Sequence, residues 1–238
     1  SGTDASSFEI SGSTLKLKDS VSGNYESQTS YAVTVTTTDA GGLTTSQAFT
    51  VSVTNVNESP TAVALSATSI AENAAGATVG TLSSTDVDSS DTFTYALTGT
   101  DASSFEISGS TLKLKDSVTA DYESQTSYAV TVTTTDAGGL TTSQALTITV
   151  TNVNEAPSAV SLSASSITEN SAGATVGTLS TTDVDAGDTA SYSLSGTDAS
   201  SFEVSSSTLK LKDSVSADYE SQTSYAVTVT TTDAGGLT

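Results

Sequence analysis

Residues 126–157 read TSYAVTVTTTDAGGLTTSQALTITVTNVNEAP, and the fold is decided there. In the first part Tyr128, Val130 and Val132 alternate with Ala129, Thr131 and Thr133. In the second, Leu146, Ile148 and Val150 alternate with polar neighbours. A period of two puts one face of each segment inward, so both read as half-buried β-strands. Asp136-Ala137-Gly138-Gly139 supplies the turn between them. After the second strand come two carboxamides, a carboxylate and a proline, Asn152-Val153-Asn154-Glu155-Ala156-Pro157. Proline has no N–H to give to a ladder, so the strand stops there.

Working outward, the same text recurs. Tyr25, Tyr122 and Tyr219 are spaced by 97 residues, as are Phe8, Phe105 and Phe202. TNVNESP at 54–60 is a near-copy of TNVNEAP at 151–157. A period near 100 residues suits a self-contained sandwich better than a solenoid unit. The expected organisation is the C-terminal part of one repeat at 1–57, a complete repeat at 58–154, and a repeat lacking its last strand at 155–238. The chain thus reads as a window on a longer array.

Within the complete repeat, seven strands are expected. They fall around Val63–Leu65, 77–85, 92–98, Phe105 to Ile107, Leu112 to Leu114, 126–136 and 142–153. No segment has helical periodicity. The expected fold class is all-β: tandem seven-stranded Greek-key sandwiches of cadherin or immunoglobulin type joined end to end. The Leu-Lys-Leu-Lys segment turns Leu112 and Leu114 in and Lys113 and Lys115 out. Its lysines read as charges guarding an edge strand.

The formal charge is −21, with no His, Cys, Met or Trp, and all six cations are Lys. Such acidity opposes nucleic acid and anionic membrane surfaces. No apolar run approaches the ~18 residues needed to span a bilayer. Without Cys there are no disulfides, so something else must stiffen a secreted array. Catalysis is not expected. Ser has no His partner, and the Asp121/Glu123 pair recurs at one register in every repeat.

The carboxylates gather in loops at strand ends. Glu58, Glu72, Asp86, Asp88, Asp121, Glu123 and Asp136 all lie there in the complete repeat. Two like charges ~5 Å apart at an effective dielectric of about 20 repel by about 3 kcal/mol. A hard divalent cation with six to eight oxygen ligands removes that repulsion, and a set without imidazole or thiolate favours calcium.

Several motifs occur in a fixed order: Ala71-Glu72-Asn73, Asp86-Val87-Asp88, Tyr95-x-Leu97-x-Gly99, Asp121-Tyr122-Glu123, Asp136-Ala137-Gly138-Gly139 and the Asn-Val-Asn-Glu linker. This order resembles the cadherin repeat, and more closely the bacterial cadherin-like repeats of giant secreted adhesins of RTX type. The resemblance implies calcium ions at each linker. At the second linker it implies ligation by Glu72, Asp121, Glu123, Asn152, Asn154, Glu155, Asp183, Asp185 and Asp233. At the first it implies Asn24, Glu26, Asn55, Asn57, Glu58, Asp86, Asp88 and Asp136. Glu169, Asp218 and Glu220 belong to a third set whose partner repeat is missing, so they are expected to be empty or partly filled.

The linker departs from the family's DxNDN. Asn152 stands for its first Asp and Glu155 for its second, and Asn24 stands where Asp121 and Asp218 occur in the other copies. Two or three ions per linker are expected, held more weakly at the first. Asp91 after Asp86-Val87-Asp88, and Asp188 after Asp183-Val184-Asp185, could form a second calcium loop or a solvated hairpin turn; the solvated turn is the expectation.

Together these imply a calcium-stiffened extracellular stalk of a bacterial adhesin or surface fibre, serving adhesion or biofilm. Its partners are neighbouring repeats of the same chain, with like chains in a fibre or homophilic contact as a second candidate. A self-assembling filament and a calcium-dependent sugar-binding repeat are the alternatives. The second needs surface aromatic platforms, and the Tyr and Phe residues fall mostly at inward positions.

Overall fold

A computed structural model describes residues 1–238. The chain folds as two compact units. One comprises Ser1–Ile70, Ala75–Val118 and Ser127–Thr149; the other comprises Ala71–Ala74, Thr119–Thr126 and Val150–Thr238.

The strands in chain order begin with β1 (Phe8–Ser11), β2 (Thr14–Leu17), β3 (Ser30–Thr38) and β4 (Thr44–Ser52). These form two antiparallel pairs, β1-β2 and β3-β4. Next come β5 (Ala62–Leu65), β6 (Ser69–Ala71), β7 (Thr78–Thr85), β8 (Thr94–Thr98), β9 (Phe105–Ser108), β10 (Thr111–Leu114), β11 (Ser127–Thr135) and β12 (Thr141–Thr151). They build two four-stranded sheets, in the orders β5-β7-β10-β9 and β6-β12-β11-β8. The all-β expectation holds. The long hairpin at 127–151 pairs Tyr128 with Ile148 and Val130 with Leu146, the register that the alternation requires.

The core between these sheets is apolar. Leu112, Leu114, Val132 and Ile148 are completely buried, with Val130, Val79 and Leu82 close behind. Phe105 meets Tyr128 edge-to-face at 5.3 Å between ring centres, the geometry that aromatic quadrupoles prefer. Phe8 with Tyr31 and Phe202 with Tyr225 repeat that contact. One buried polar cluster interrupts the core. Ser84 Oγ shares hydrogen bonds with Thr134 Oγ1 at 2.8 Å and Tyr95 Oη at 3.2 Å, donating one and accepting the other, so Thr134 is buried without an orphaned hydroxyl.

Two expectations change. Eight strands are present in the complete repeat, because β6 joins the second sheet while β5 lies in the first. Thr149 N–H binds Thr68 C=O at 2.9 Å beside β6, and Ile70 is the strand's single buried residue. The lysine segment is not an edge strand in this sheet: β10 lies between β7 and β9. Lys113 instead pairs with Glu106, its direct cross-strand neighbour, at 3.2 Å, and with Asp116 at 2.7 Å. Lys210 and Lys16 repeat both contacts. Opposite charges facing across a ladder stabilise the pair, and that is the lysines' role here.

In the second unit, β13 (Ala159–Leu162), β14 (Thr175–Thr182), β16 (Phe202–Ser205) and β17 (Thr208–Leu211) form a four-stranded sheet, order β13-β14-β17-β16. Between them in sequence comes β15 (Ser191–Ser195), which pairs with β18 (Thr228–Thr232). β18 pairs with β15 alone, whereas β11 has β12 on one edge and β8 on the other. Residues 166–168, which match β6, are accordingly not a strand. An open apolar groove of about 570 Å³ runs there, lined by Ile167, Tyr225 and Val227 among others. The exposed Phe49 on β4 has the same origin, because no front strands lie against it.

Candidate metal centres

Each linker lies against the loops at strand ends, and its peptide and carboxamide N–H groups point at carboxylates. At the first, Asn55 Nδ2 donates to Asp88 Oδ1 at 2.8 Å and Glu58 N to Asp88 Oδ2 at 3.0 Å. Asn57 Nδ2 donates to Asp136 Oδ2 at 2.9 Å. At the second, Asn152 Nδ2 donates to Asp185 Oδ1 at 2.9 Å, Glu155 N to Asp185 Oδ2 at 2.8 Å, and Asn154 Nδ2 to Asp233 Oδ2 at 2.9 Å. The two are copies in detail, and each lies within one compact unit.

Glu72, in the turn just after β6, anchors the second linker. It is 3% exposed; Oε1 accepts Val153 N at 2.8 Å and Oε2 accepts Tyr122 N at 2.7 Å. Asp86 and Asp183 each accept the N–H two residues on, from Asp88 and Asp185, at 3.1 Å. Asp136 and Asp233 sit buried in the Asp-Ala-Gly-Gly turns and cap Leu140 N at 2.8 Å and Leu237 N at 2.7 Å.

The acidic oxygens converge. One oxygen from each of Glu26, Glu58 and Asp88 lies within 4.8 Å of the others, and so do those of Glu72, Asp121 and Glu123, and of Glu123, Glu155 and Asp185. Asp86, Asp88 and Asp91 form another such group, and Glu169, Asp218 and Glu220 a further one. The Asn24 carboxamide oxygen accepts Ser27 N at 2.8 Å in its own turn. Asp121, at the matching place, also caps its turn through Ser124 but remains in an acidic group.

The electrostatics follow from these contacts. Desolvation, then repulsion from Glu26, Asp88 and Asp86, pushes the Glu58 carboxyl up. Desolvation, with Glu72, Glu155 and Asp185 nearby, does the same to Glu123. The Asn55 carboxamide, followed by the Glu58 N–H, pulls Asp88 down. For Asp136 desolvation acts upward, but Asn57 and the turn N–H groups outweigh it and hold the carboxyl low; Asp233 repeats this with Asn154.

Whether a hard cation fits is decided by the oxygens left over. Asp86 Oδ2, Asp91 Oδ2, Glu155 Oε2 and Asp188 Oδ2 are sealed from solvent with no hydrogen-bond partner. An unpaired buried carboxylate oxygen is costly, and no Lys stands among these groups to satisfy it. An all-oxygen set of converging acidic groups with spare inward oxygens fits calcium. There Glu72, Asp121, Glu123, Glu155, Asp183, Asp185 and Asp233 would hold it at the second linker, and Glu26, Glu58, Asp86, Asp88 and Asp136 at the first. The ion would supply positive charge that cancels carboxylate repulsion.

Three features escape the sequence. The Asp91 and Asp188 turns are exposed as expected at most positions, but one carboxylate oxygen in each is sealed, where the side chain reaches the N–H of Ala137 or Ala234 in the Asp-Ala-Gly-Gly turn. Asn73 takes a left-handed conformation, φ 64°, and its carboxamide donates to Glu155 Oε1. A side chain on Gly138 would overlap the Asn57 carboxamide, and one on Gly235 would overlap that of Asn154.

The Cadherin domain family matches residues 66–151 and 163–238, and this chain belongs to that family. Cadherin domains are extracellular domains of adhesive and structural type. No curated protein matches the chain. Among solved structures, protocadherin gammaB7 EC3-6, a cis-dimer structure, has a TM-score of 0.65 at 21% identity, covering 97% of this chain and 63% of that one. Mouse cadherin-23 EC22-24 has a TM-score of 0.62 at 20% identity, covering 90% of this chain and 72% of that one. Protocadherin gammaB4 has 0.65 at 22%, covering 95% and 38%. The chain therefore spans less than two thirds of the two protocadherin chains. At these identities the likeness concerns the fold. No helix is long and apolar enough to cross a membrane.

Proposed function

We propose that this chain is part of an extracellular stalk whose linkers at 54–60 and 151–157 are stiffened by calcium. The repeats would be 1–57, 58–154 and 155–238. The observation that carries the reading is Glu155. Its Oε2 is buried and unpaired, its carboxyl shares acidic groups with Glu123 and Asp185, and its own N–H binds Asp185. A carboxylate so placed calls for a cation.

The repetition supports a spacer role. Near-identical 97-residue units with Ser/Thr-coated strands add length and keep exposed apolar patches small. The bacterial secreted-adhesin setting rests on the resemblance of the repeats. Affinities of about 10⁻⁴–10⁻³ M are expected, as for extracellular modules.

Small-angle scattering of a multi-repeat chain tests the proposal. Calcium should lengthen and stiffen the particle relative to chelator. Identical dimensions in both would refute it.

A further inference from the structure

We propose that Glu72 and Asn73 form a latch that orders the start of the second linker through the chain's own hydrogen bonds, before any cation is bound. The latch stands or falls separately from the calcium reading above.

The turn that carries both residues follows β6 and touches two other segments, the loop at 120–122 and the linker at 151–155. Its main chain holds one contact to each. Glu72 N–H donates to Thr151 C=O at 3.3 Å, and Asn73 N–H to Ala120 C=O at 3.0 Å. The side chains add to both. Glu72 Oε2 accepts Tyr122 N from the loop at 2.7 Å, and Oε1 accepts Val153 N from the linker at 2.8 Å. The Asn73 carboxamide donates to Glu155 Oε1, two residues further along the linker. Each segment is therefore held by main chain and side chain alike.

Burial and donors show what Glu72 does. At 3% exposed it is the most deeply buried carboxylate in the chain. A carboxylate taken out of water is destabilising unless donors replace that water. Both Glu72 oxygens have a main-chain donor, whereas Glu155 Oε2 has none. Bonds from N–H groups to a carboxylate are roughly twice as strong as neutral ones, and they form without an ion. Glu169 occupies the matching place 97 residues on. It accepts Tyr219 N at 3.1 Å but stays partly exposed. What Glu72 has in addition is the linker donor and the burial.

Asn73 completes the latch from an unusual backbone conformation. Its φ is 64°, a left-handed value that few side chains other than asparagine tolerate, and its carboxamide reaches Glu155 from there. A linker ordered beforehand lowers the ordering cost of any ligand it later takes.

Amide hydrogen exchange of the whole 238-residue chain, followed by NMR in chelator and in calcium, tests the latch. In chelator the Tyr122 and Val153 amides should exchange at least about a hundredfold more slowly than in an unfolded chain. E72A should speed both by about tenfold or more in chelator, while the Val150 amide, held by Thr126 C=O at 2.9 Å, stays protected. N73G keeps the left-handed backbone, removes the clasp on Glu155, and should speed Val153 more than Tyr122. E72Q covers a failure of E72A to fold: it keeps one acceptor oxygen, so one of the two amides should exchange faster. Wild-type Tyr122 and Val153 amides that exchange freely in chelator and slow only in calcium would overturn the latch, because the ion would then be making the order. Wild-type protection of both amides in folded E72A, or in E72Q, would overturn it as well. Both amides protected alike in calcium and chelator, with no heat of calcium binding, would sink the calcium reading and leave the latch in place.

Discussion

Asn154 Nδ2 donates to Asp233 Oδ2 at 2.9 Å across 79 residues of sequence, and Asn57 makes the same bond to Asp136 at 2.9 Å one repeat earlier. The linker is thus tied to the loop beyond it by amide donors as well as by any shared ion. Four carboxamides, Asn55, Asn57, Asn152 and Asn154, each place an N–H against an aspartate. An N–H carries a fraction of a positive charge, so it lessens carboxylate repulsion without cancelling it.

Restoring the family's acidic residue at the linker should therefore act oppositely in two media. N152D replaces a donor to Asp185 with a like charge. Calcium affinity at the second linker should tighten by roughly tenfold, since ligand charge count tunes such sites. In chelator the melting temperature should fall below wild type. Calorimetry and melting curves in both media check this; movement in the same direction would count against it.

The close approach of Gly138 to Asn57 predicts a steric effect free of backbone strain. G138A should push the Asn57 carboxamide away from Asp136 and cost on the order of 1–3 kcal/mol. At Gly139 nothing lies near an added Cβ, but φ is +92°. G139A should cost a similar amount through strain alone, leaving calcium affinity intact. Denaturant unfolding combined with calcium titration separates the two.

Asp198 gives a pH-dependent prediction away from the linkers. Its carboxylate accepts Ala226 N at 2.7 Å and Gln222 Nε2 at 3.2 Å, and these bonds, the backbone one first, hold it below the usual carboxylate range. A depressed folded pKa stabilises above the unfolded value of about 3.9, and that stabilisation is lost as pH falls through the folded pKa. Wild type should out-melt D198N at neutral pH, with the gap closing well below pH 4. A gap independent of pH would contradict the assignment.

Leu112 is completely enclosed between the two sheets. L112A should destabilise by about 3–5 kcal/mol, transfer loss plus cavity. Urea unfolding measures it. A cost below about 1 kcal/mol would mean the sandwich repacks.

Much of this architecture is legible in the residues, for physical reasons. Tyr128, Val130 and Val132 lie on a strand buried on one face only, so alternation survives in the text. Strand β6 does not show because three residues with one apolar side chain, Ile70, carry no period. The lysines mislead because an outward charge looks alike on an edge strand and on an inner strand with a cross-strand acid. Lys113 is the second kind, which only the register with Glu106 reveals. The acidic motifs can be read because runs of carboxylates and carboxamides at strand ends stand out in the text, whereas Asp91 hides. Whether its second oxygen meets water depends on how the Ala137 loop closes over it, a tertiary matter.

The most direct test of the central claim is crystallography of this chain grown in calcium, with anomalous difference maps. The account predicts peaks at both linkers, with Glu155 Oε2 and Asp86 Oδ2 at 2.3–2.6 Å from the ions. Maps without peaks at saturating calcium, with Glu155 Oε2 still unpaired, would contradict it.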